Sequence, residues 1–204
     1  MQIILSKKKL IKIVKKEKNL GFVPTMGAIH KGHLSLINKS NKICNKTIVS
    51  IFVNKPQFNN ETDYIKYPRN LKTDIKLLKK NRCNYLFLPA YKDIYPKGVR
   101  KDLNIHKFSK KLCGKNRPGH FMAVVDVIDR FIKIIKPNKI FLGEKDFQQF
   151  KIIENYMLKN NIKTKAILCR TIREKNGLAL SSRNFLLNGI EKNIASNIYN
   201  LLKR

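Results

Sequence analysis

Acidic residues are scarce in this chain. Only 13 Asp and Glu stand against 44 Lys and Arg, leaving a formal net charge of +31 over 204 residues. A balance that lopsided makes a nucleic acid or an anionic surface the first partner to consider. Arginine is scarce too: lysines outnumber arginines about four to one, and the planar arginine fork is the better tool for phosphate and base contacts. Clustered arginine with interleaved aromatics, the mark of a nucleic-acid groove, is missing as well. Asn and Ile are inflated alongside Lys, which is the pattern an AT-biased genome imposes on surface positions. Such a charge still attracts ATP and other anions in a salt-dependent way.

Other absences narrow the class further. No apolar run approaches the roughly 20 residues that a membrane-spanning helix needs. The start, "MQIILSKKKLIKIVKK", lacks a long apolar core and a small-residue cleavage site, so the expected location is the cytoplasm. Cys44, Cys83, Cys113 and Cys169 form no C-x-x-C pair and have no histidine at zinc-ligand spacing, which predicts reduced thiols. There is no internal repeat and no Gly/Ser/Pro linker.

What is present is an alternation of strand and helix signals. Apolar runs at 20–25, 46–54, 85–89, 139–144 and 164–172 predict strands; amphipathic stretches at 31–43, 71–81, 120–137 and 146–160 predict helices between and around them. In 120–137, Phe121, Val124, Val125, Ile128, Phe131, Ile132 and Ile135 recur at helical spacing, with Asp126, Asp129, Arg130 and Lys133 on the other side. The expected fold class is α/β, a doubly wound parallel sheet covered by helices. After Arg173 the rhythm changes to a polar loop and one helical stretch from about Gly189 to Arg204. The expected division is therefore a catalytic domain over 1–172 and a C-terminal segment over 173–204.

In such sheets ligands gather at the carboxyl ends of the strands, and the polar clusters "PTMGAIHKGH", "NKPQF", "GEKDFQQ" and "REKNGLALSSRN" all follow strands. The first lacks both the G-x-G-x-x-G and the G-x-x-x-x-G-K-[ST] spacings, which excludes the dinucleotide and P-loop phosphate cradles. A glycine-bearing turn feeding a helix still offers free N–H groups to an anion. His30 and His33, three residues apart, can face one phosphate, with Gly32 letting it approach the backbone. Asp146 is also placed to act as a helix N-cap.

H-x-G-H resembles the signature of the nucleotidyltransferase superfamily. More narrowly, "PTMGAIHKGHLSLI", "VSIFVNKPQF", "YPR", "RPGHF", "FLGEKDFQQF" and "REKNGLALSSRN" follow one another as they do in the pantothenate synthetase (pantoate–β-alanine ligase) family. The resemblance implies a Rossmann-like nucleotidyltransferase fold and a two-step reaction. In it, the carboxylate of pantoate attacks the α-phosphorus of Mg·ATP to give pantoyl-adenylate and pyrophosphate. The amine of β-alanine then displaces AMP to give pantothenate.

By the same resemblance, Met26, Gly27, Ala28, Ile29, His30, Lys31, Gly32 and His33 contact ATP, with His33 taking the acid role toward the reacting phosphate. Lys145 reaches the phosphates, Gly143 and Asp146 hold the ribose side, Glu144 also contacts ATP, and Ile172 offers backbone to adenine. Leu180, Ser181, Ser182 and Arg183 form a mobile loop that closes over the triphosphate. Gln57 and Gln149 bind pantoate, Asn54 supports that pocket, and Asp74 helps hold Mg²⁺. Arg117 to His120 shape the pocket. The resemblance further implies a homodimer, with no membrane and no specific nucleic-acid partner. Another H-x-G-H nucleotidyltransferase, or a basic nucleic-acid-binding protein without catalysis, are the alternatives; the Gln57 and Gln149 pair with "GEKD" stands against the former.

The chain departs from the family pattern at three places. Lys55 and Pro56 appear in exchanged order, and Ala123 and Asp126 replace a glycine and a threonine. The family's second domain, a lid over the site, is also expected to be shortened here to the remnant after Arg173.

Overall fold

The computed structural model describes residues 1–203. Its centre is a six-stranded sheet in which every pairing is parallel, in the order β1-β4-β3-β2-β5-β6. The strands are β1 (Gln2–Ile4), β2 (Leu20–Thr25), β3 (Lys46–Ile51), β4 (Tyr85–Phe87), β5 (Lys139–Gly143) and β6 (Lys165–Cys169). The expected doubly wound parallel sheet is therefore present, and the strand order reverses between β2 and β5. A crevice opens where strand order reverses, because the loops leaving the two strands turn to opposite faces. Those loops carry "MGAIHKGH" and "EKDFQQ".

Strand pleating sorts the core into two halves. Phe22, Ile48 and Ile140 face one side with Leu10 and Val14 of α1 (Lys7–Val14), the apolar residues of α6 (His120–Ile135), and Phe150 and Ile153 of α7 (Phe147–Lys159). Val23, Val49 and Phe141 face the other, against Leu36 and Ile37 of α2 (Lys31–Ile43) and Leu78 of α4 (Leu71–Lys80). Gly21 lets α2 lie close to the sheet: a Cβ there would sit 2.1 Å from Ser40 Oγ. The plentiful asparagine has a use at helix starts. Asn60 caps α3 (Glu61–Lys66), Asn70 caps α4 and Asn188 caps α8 (Gly189–Leu202) by accepting backbone N–H bonds.

The structure differs from the sequence reading at several points. Residues before Leu20 form β1, an edge strand on β4, and α1, whose Ser6 accepts from Lys9 N–H. The segment from 90 contains the short helix α5 (Tyr91–Ile94) and further 3₁₀ turns. The last strand ends at Cys169, so Ile172 lies beyond it. Helix α6 is buried on nearly all sides, Asp126 and Asp129 included. Arg100 and Arg130 reach Asp126 at 2.7 and 2.6 Å, and Arg100 and Lys133 reach Asp129 at 2.7 and 2.8 Å. Buried carboxylates persist when charge and hydrogen bonds meet them from several sides. The cysteines are all free thiols, with only Cys113 exposed.

Candidate active site

The loop after β2 is built by backbone contacts. Thr25 Oγ1 donates to Ser50 O at 2.7 Å and accepts from Gly27 N–H. Gly27 and Ala28 both take left-handed conformations, with φ of 85° and 49°. A non-glycine residue there needs fixing from outside, and the buried Asp74 carboxylate supplies it. One oxygen accepts from Ala28 N–H at 2.9 Å, the other from Ile29 N–H at 2.7 Å. Both oxygens are turned to the loop backbone, and the residue does not line the cavity, so its role here is to hold the loop. Among the described residues, no cluster of three or more His, Cys, Asp or Glu side chains is arranged to hold a metal.

The chain then enters α2 through a capping box made of histidines. His30 is the N-cap, and its Nδ1 accepts from Gly32 N–H at 3.1 Å; His33 Nδ1 accepts from His30 N–H at 3.4 Å. The rings lie 4.0 Å apart, centre to centre. A neutral imidazole whose Nδ1 accepts must carry its proton on Nε2, so each ring has one N–H left to donate. Burial first, then the neighbouring Lys145 ammonium, depresses His30 to about 4. Burial, His30 and Lys145 together depress His33 to about 3. Both rings are neutral donors at pH 7.

They line a cavity of about 260 Å³ at the point where strand order reverses. From β5 and the turn after it come Gly143, Lys145 and Asp146. Asp146 occupies the N-cap position of α7, but its side chain makes no cap bond; it accepts from Lys145 Nζ at 3.2 Å instead. Gln149 reaches the cavity from the first turn of α7, whereas its neighbour Gln148 is buried against the carbonyls of Phe108 and Lys111. Asn54 and Gln57 also line the cavity, with Asn54 Nδ2 donating to Gln57 Oε1 at 3.0 Å. His120 Nδ1 donates to the Gln57 carbonyl at 2.7 Å and so fixes that loop. The exchanged Lys55 and Pro56 are accommodated in a 3₁₀ turn, and Ala123 is buried without lining the cavity.

The loop 180–183 completes the wall. Ser182 is buried, and its hydroxyl donates to Ala28 O at 3.1 Å, which ties this loop to the β2 loop. Ser181 Oγ accepts from Arg183 N–H, and Ile172 O accepts from Leu180 N–H. Arg183 engages Asp63 through two parallel bonds of 3.0 and 2.7 Å.

Of the residues singled out in the sequence, Met26, His30, Gly32, His33, Asn54, Gln57, Gly143, Lys145, Asp146, Gln149, Ile172, Leu180, Ser181, Ser182 and Arg183 meet on this one cavity. Gly27, Ala28 and Ile29 lie buried behind it, Lys31 is exposed outside it, and Glu144 turns to Thr171 N–H. Sequence reasoning missed Arg170 and the apolar wall of Val124, Val127, Ile128 and Phe131. A lone arginine in so basic a chain gives no contrast, and residues of an amphipathic helix read as core.

Comparison with known proteins places the whole chain in one family. The family model for pantoate-beta-alanine ligase matches residues 2–204. A pantothenate synthetase of Pseudothermotoga lettingae is 45% identical over 196 residues, spanning 96% of this chain and 70% of the relative. The crystal structure of a pantoate-beta-alanine ligase from Francisella tularensis, complexed with beta-gamma ATP and beta-alanine, superposes with a TM-score of 0.91 at 42% identity, covering 100% of this chain and 80% of that one. The pantothenate synthetase of Thermus thermophilus gives a TM-score of 0.95 at 32% identity, over 100% and 74%. With the family model matching from Gln2 to the last residue and relatives of above 40% identity covering most of both chains, the chain belongs to the pantoate–β-alanine ligase family.

Proposed function

We propose that this chain condenses pantoate with β-alanine to pantothenate at the expense of ATP, passing through pantoyl-adenylate and releasing pyrophosphate and AMP. One observation carries the reading: two neutral imidazole N–H donors and the Lys145 ammonium share one cavity with the amides of Gln57 and Gln149. The first group suits a triphosphate and the second a hydroxy acid. Val124, Val127 and Ile128 beside the amides suit the branched carbon skeleton of pantoate.

The chemistry asks little of acid–base catalysis. The pantoate carboxylate is already ionised at pH 7, so attack at the α-phosphorus needs alignment and neutralisation of charge. His33, neutral at that pH, acts in this reading as a hydrogen-bond donor to the phosphoryl oxygens, not as an imidazolium acid. Lys145 and Arg183 add positive charge as pyrophosphate departs. Mg²⁺ arrives with ATP as part of the substrate, since it is commonly held by phosphate oxygens and few protein groups. Closing the site against water protects the adenylate until the amine attacks.

Two further parts of the reading are a homodimer, implied by the family resemblance, and a cytoplasmic location, the expectation drawn from the sequence. Among the described residues no helix is long and apolar enough to cross a membrane. The division into 1–172 and 173–204 is proposed on the change from an all-parallel sheet to the antiparallel bridge Arg173–Ala179.

The test is exchange of labelled pyrophosphate into ATP with Mg²⁺, with and without pantoate, and no β-alanine. Exchange should require pantoate and fall by about 100- to 1,000-fold in His33→Ala, the usual cost of one preorganised donor. Folded protein that binds ATP but shows no pantoate-dependent exchange would sink the reading.

A further inference from the structure

We infer that Tyr95 is a positioning residue that sets the polarity of the Asn54 and Gln57 amides, so that Gln57 turns its N–H face to the acid substrate. The inference rests on the pantoate reading of Gln57 given above. Tyr95 follows α5, is 3% exposed and does not line the cavity. Its hydroxyl lies 2.7 Å from Asn54 Oδ1.

An asparagine amide can be turned either way, and its neighbours decide which. Here two of them favour the same orientation. The Tyr95 hydroxyl has one proton to donate, and Asn54 Oδ1 takes it. The Ala123 carbonyl, 3.4 Å from Asn54 Nδ2, can only accept. Asn54 therefore keeps its NH₂ toward Gln57, whose Oε1 accepts at 3.0 Å. Gln57 Nε2 is left with the Met26 sulfur at 3.2 Å, a weak acceptor that an anionic or hydroxyl ligand displaces readily. A flipped Gln57 would instead point its carbonyl at a carboxylate.

The tyrosine is itself held in place. Arg130 sits 4.7 Å over its ring, ion-paired to Asp126 and donating to the carbonyls of Ile94 and Gly98 at 2.8 and 2.9 Å. Asp126, where the family pattern has threonine, thus anchors a chain of contacts that ends at the cavity.

Tyr95→Phe removes one hydroxyl and keeps the ring. In the exchange assay the KM for pantoate should rise about two- to tenfold, the worth of one neutral hydrogen bond, with kcat and the KM for ATP unchanged. In a Gln57→Ala background the same substitution should shift the pantoate KM no further, because the two residues act as one unit. Asn54→Asp, which offers Gln57 only acceptors, should raise the pantoate KM more than Tyr95→Phe does, and stands in if that variant does not fold. An unchanged pantoate KM in a folded variant overturns the inference. So do equal rises in both KM values, or an undiminished effect in the Gln57→Ala background, since these mark general packing. Failure of the wild-type chain to exchange with pantoate, or an unaltered pantoate KM in Gln57→Ala, strikes instead at the substrate reading and takes this role with it.

Discussion

Replacing Asp74 by Asn tests whether a buried carboxylate holds the loop after β2. The two side chains have nearly the same shape, so the change is chemical. The carboxylate accepts from Ala28 N–H at 2.9 Å and Ile29 N–H at 2.7 Å, and is 2% exposed. Asn offers one acceptor oxygen to one of these donors and sets its own NH₂ against the other. A hydrogen bond to a charged group is worth about 1.5–3 kcal/mol, and stranding a buried N–H costs about 1–3 kcal/mol. Part of this is offset, because burial raises the Asp74 pKa above the usual carboxylate value and the neutral amide escapes that desolvation. A net loss of about 2 kcal/mol follows from these opposing effects. In a domain of this size that lowers Tm by about 4–8 °C. Loss of the clamp also frees Ala28, which is held at positive φ, so the KM for ATP should rise. Thermal melting and pyrophosphate exchange read the two effects separately. An Asp74→Asn protein that melts within about 1 °C of the parent and keeps its KM for ATP would refute the clamp, since even 1 kcal/mol shifts Tm by about 2–4 °C.

Three further predictions follow from the site and its family. NMR of the imidazole nitrogens should find His30 and His33 neutral and protonated at Nε2 from pH 8 down to about 5, since their pKa values sit at about 4 and about 3; a midpoint near 6.5 for either ring would contradict the capping geometry. Because the unfolded chain takes up these protons near the ordinary value of about 6.5, the histidines make stability fall as pH drops from there toward 4, and denaturant titrations across that window should show it. Light scattering of the purified chain should give the mass of two copies, about twice 23.8 kDa, and a monomer mass at micromolar concentration would remove the homodimer from the reading.

Much of the fold was legible because its patterns are local. The apolar run at 46–54 and the spacing in 120–137 each describe one element against one core. The first 19 residues escaped notice for the opposite reason: β1 has three residues and stands at an edge, and the two buried positions of α1, Leu10 and Val14, are diluted by lysines. The site was legible where side chains face the cavity in a fixed order, as at His30, His33 and Gln57. It was not legible where a side chain serves a distant segment of the chain. Asp74 meets partners 45 and 46 residues away, and Tyr95 meets Asn54 41 residues away; neither leaves a spacing to read. Asp126 and Asp129 looked solvated because periodicity cannot see Arg100, which arrives from a loop.

The net charge of +31 is resolved by where arginine goes. Over the whole chain lysine outnumbers arginine about four to one. Around the cavity the ratio inverts, with Lys145 alone against Arg117, Arg170 and Arg183. A bias toward lysine acting on all positions alike would have carried the chain-wide ratio into the site. Its failure to do so locates the excess on the surface, where an ammonium on a flexible stem serves as well as any other solvated charge. At the cavity, three of the four cations are planar forks with several donors, an arrangement suited to binding a polyphosphate in one orientation. The same contrast separates this chain from a general nucleic-acid binder, in which the arginines would line an open face; here they converge on a small cavity at the reversal of the sheet.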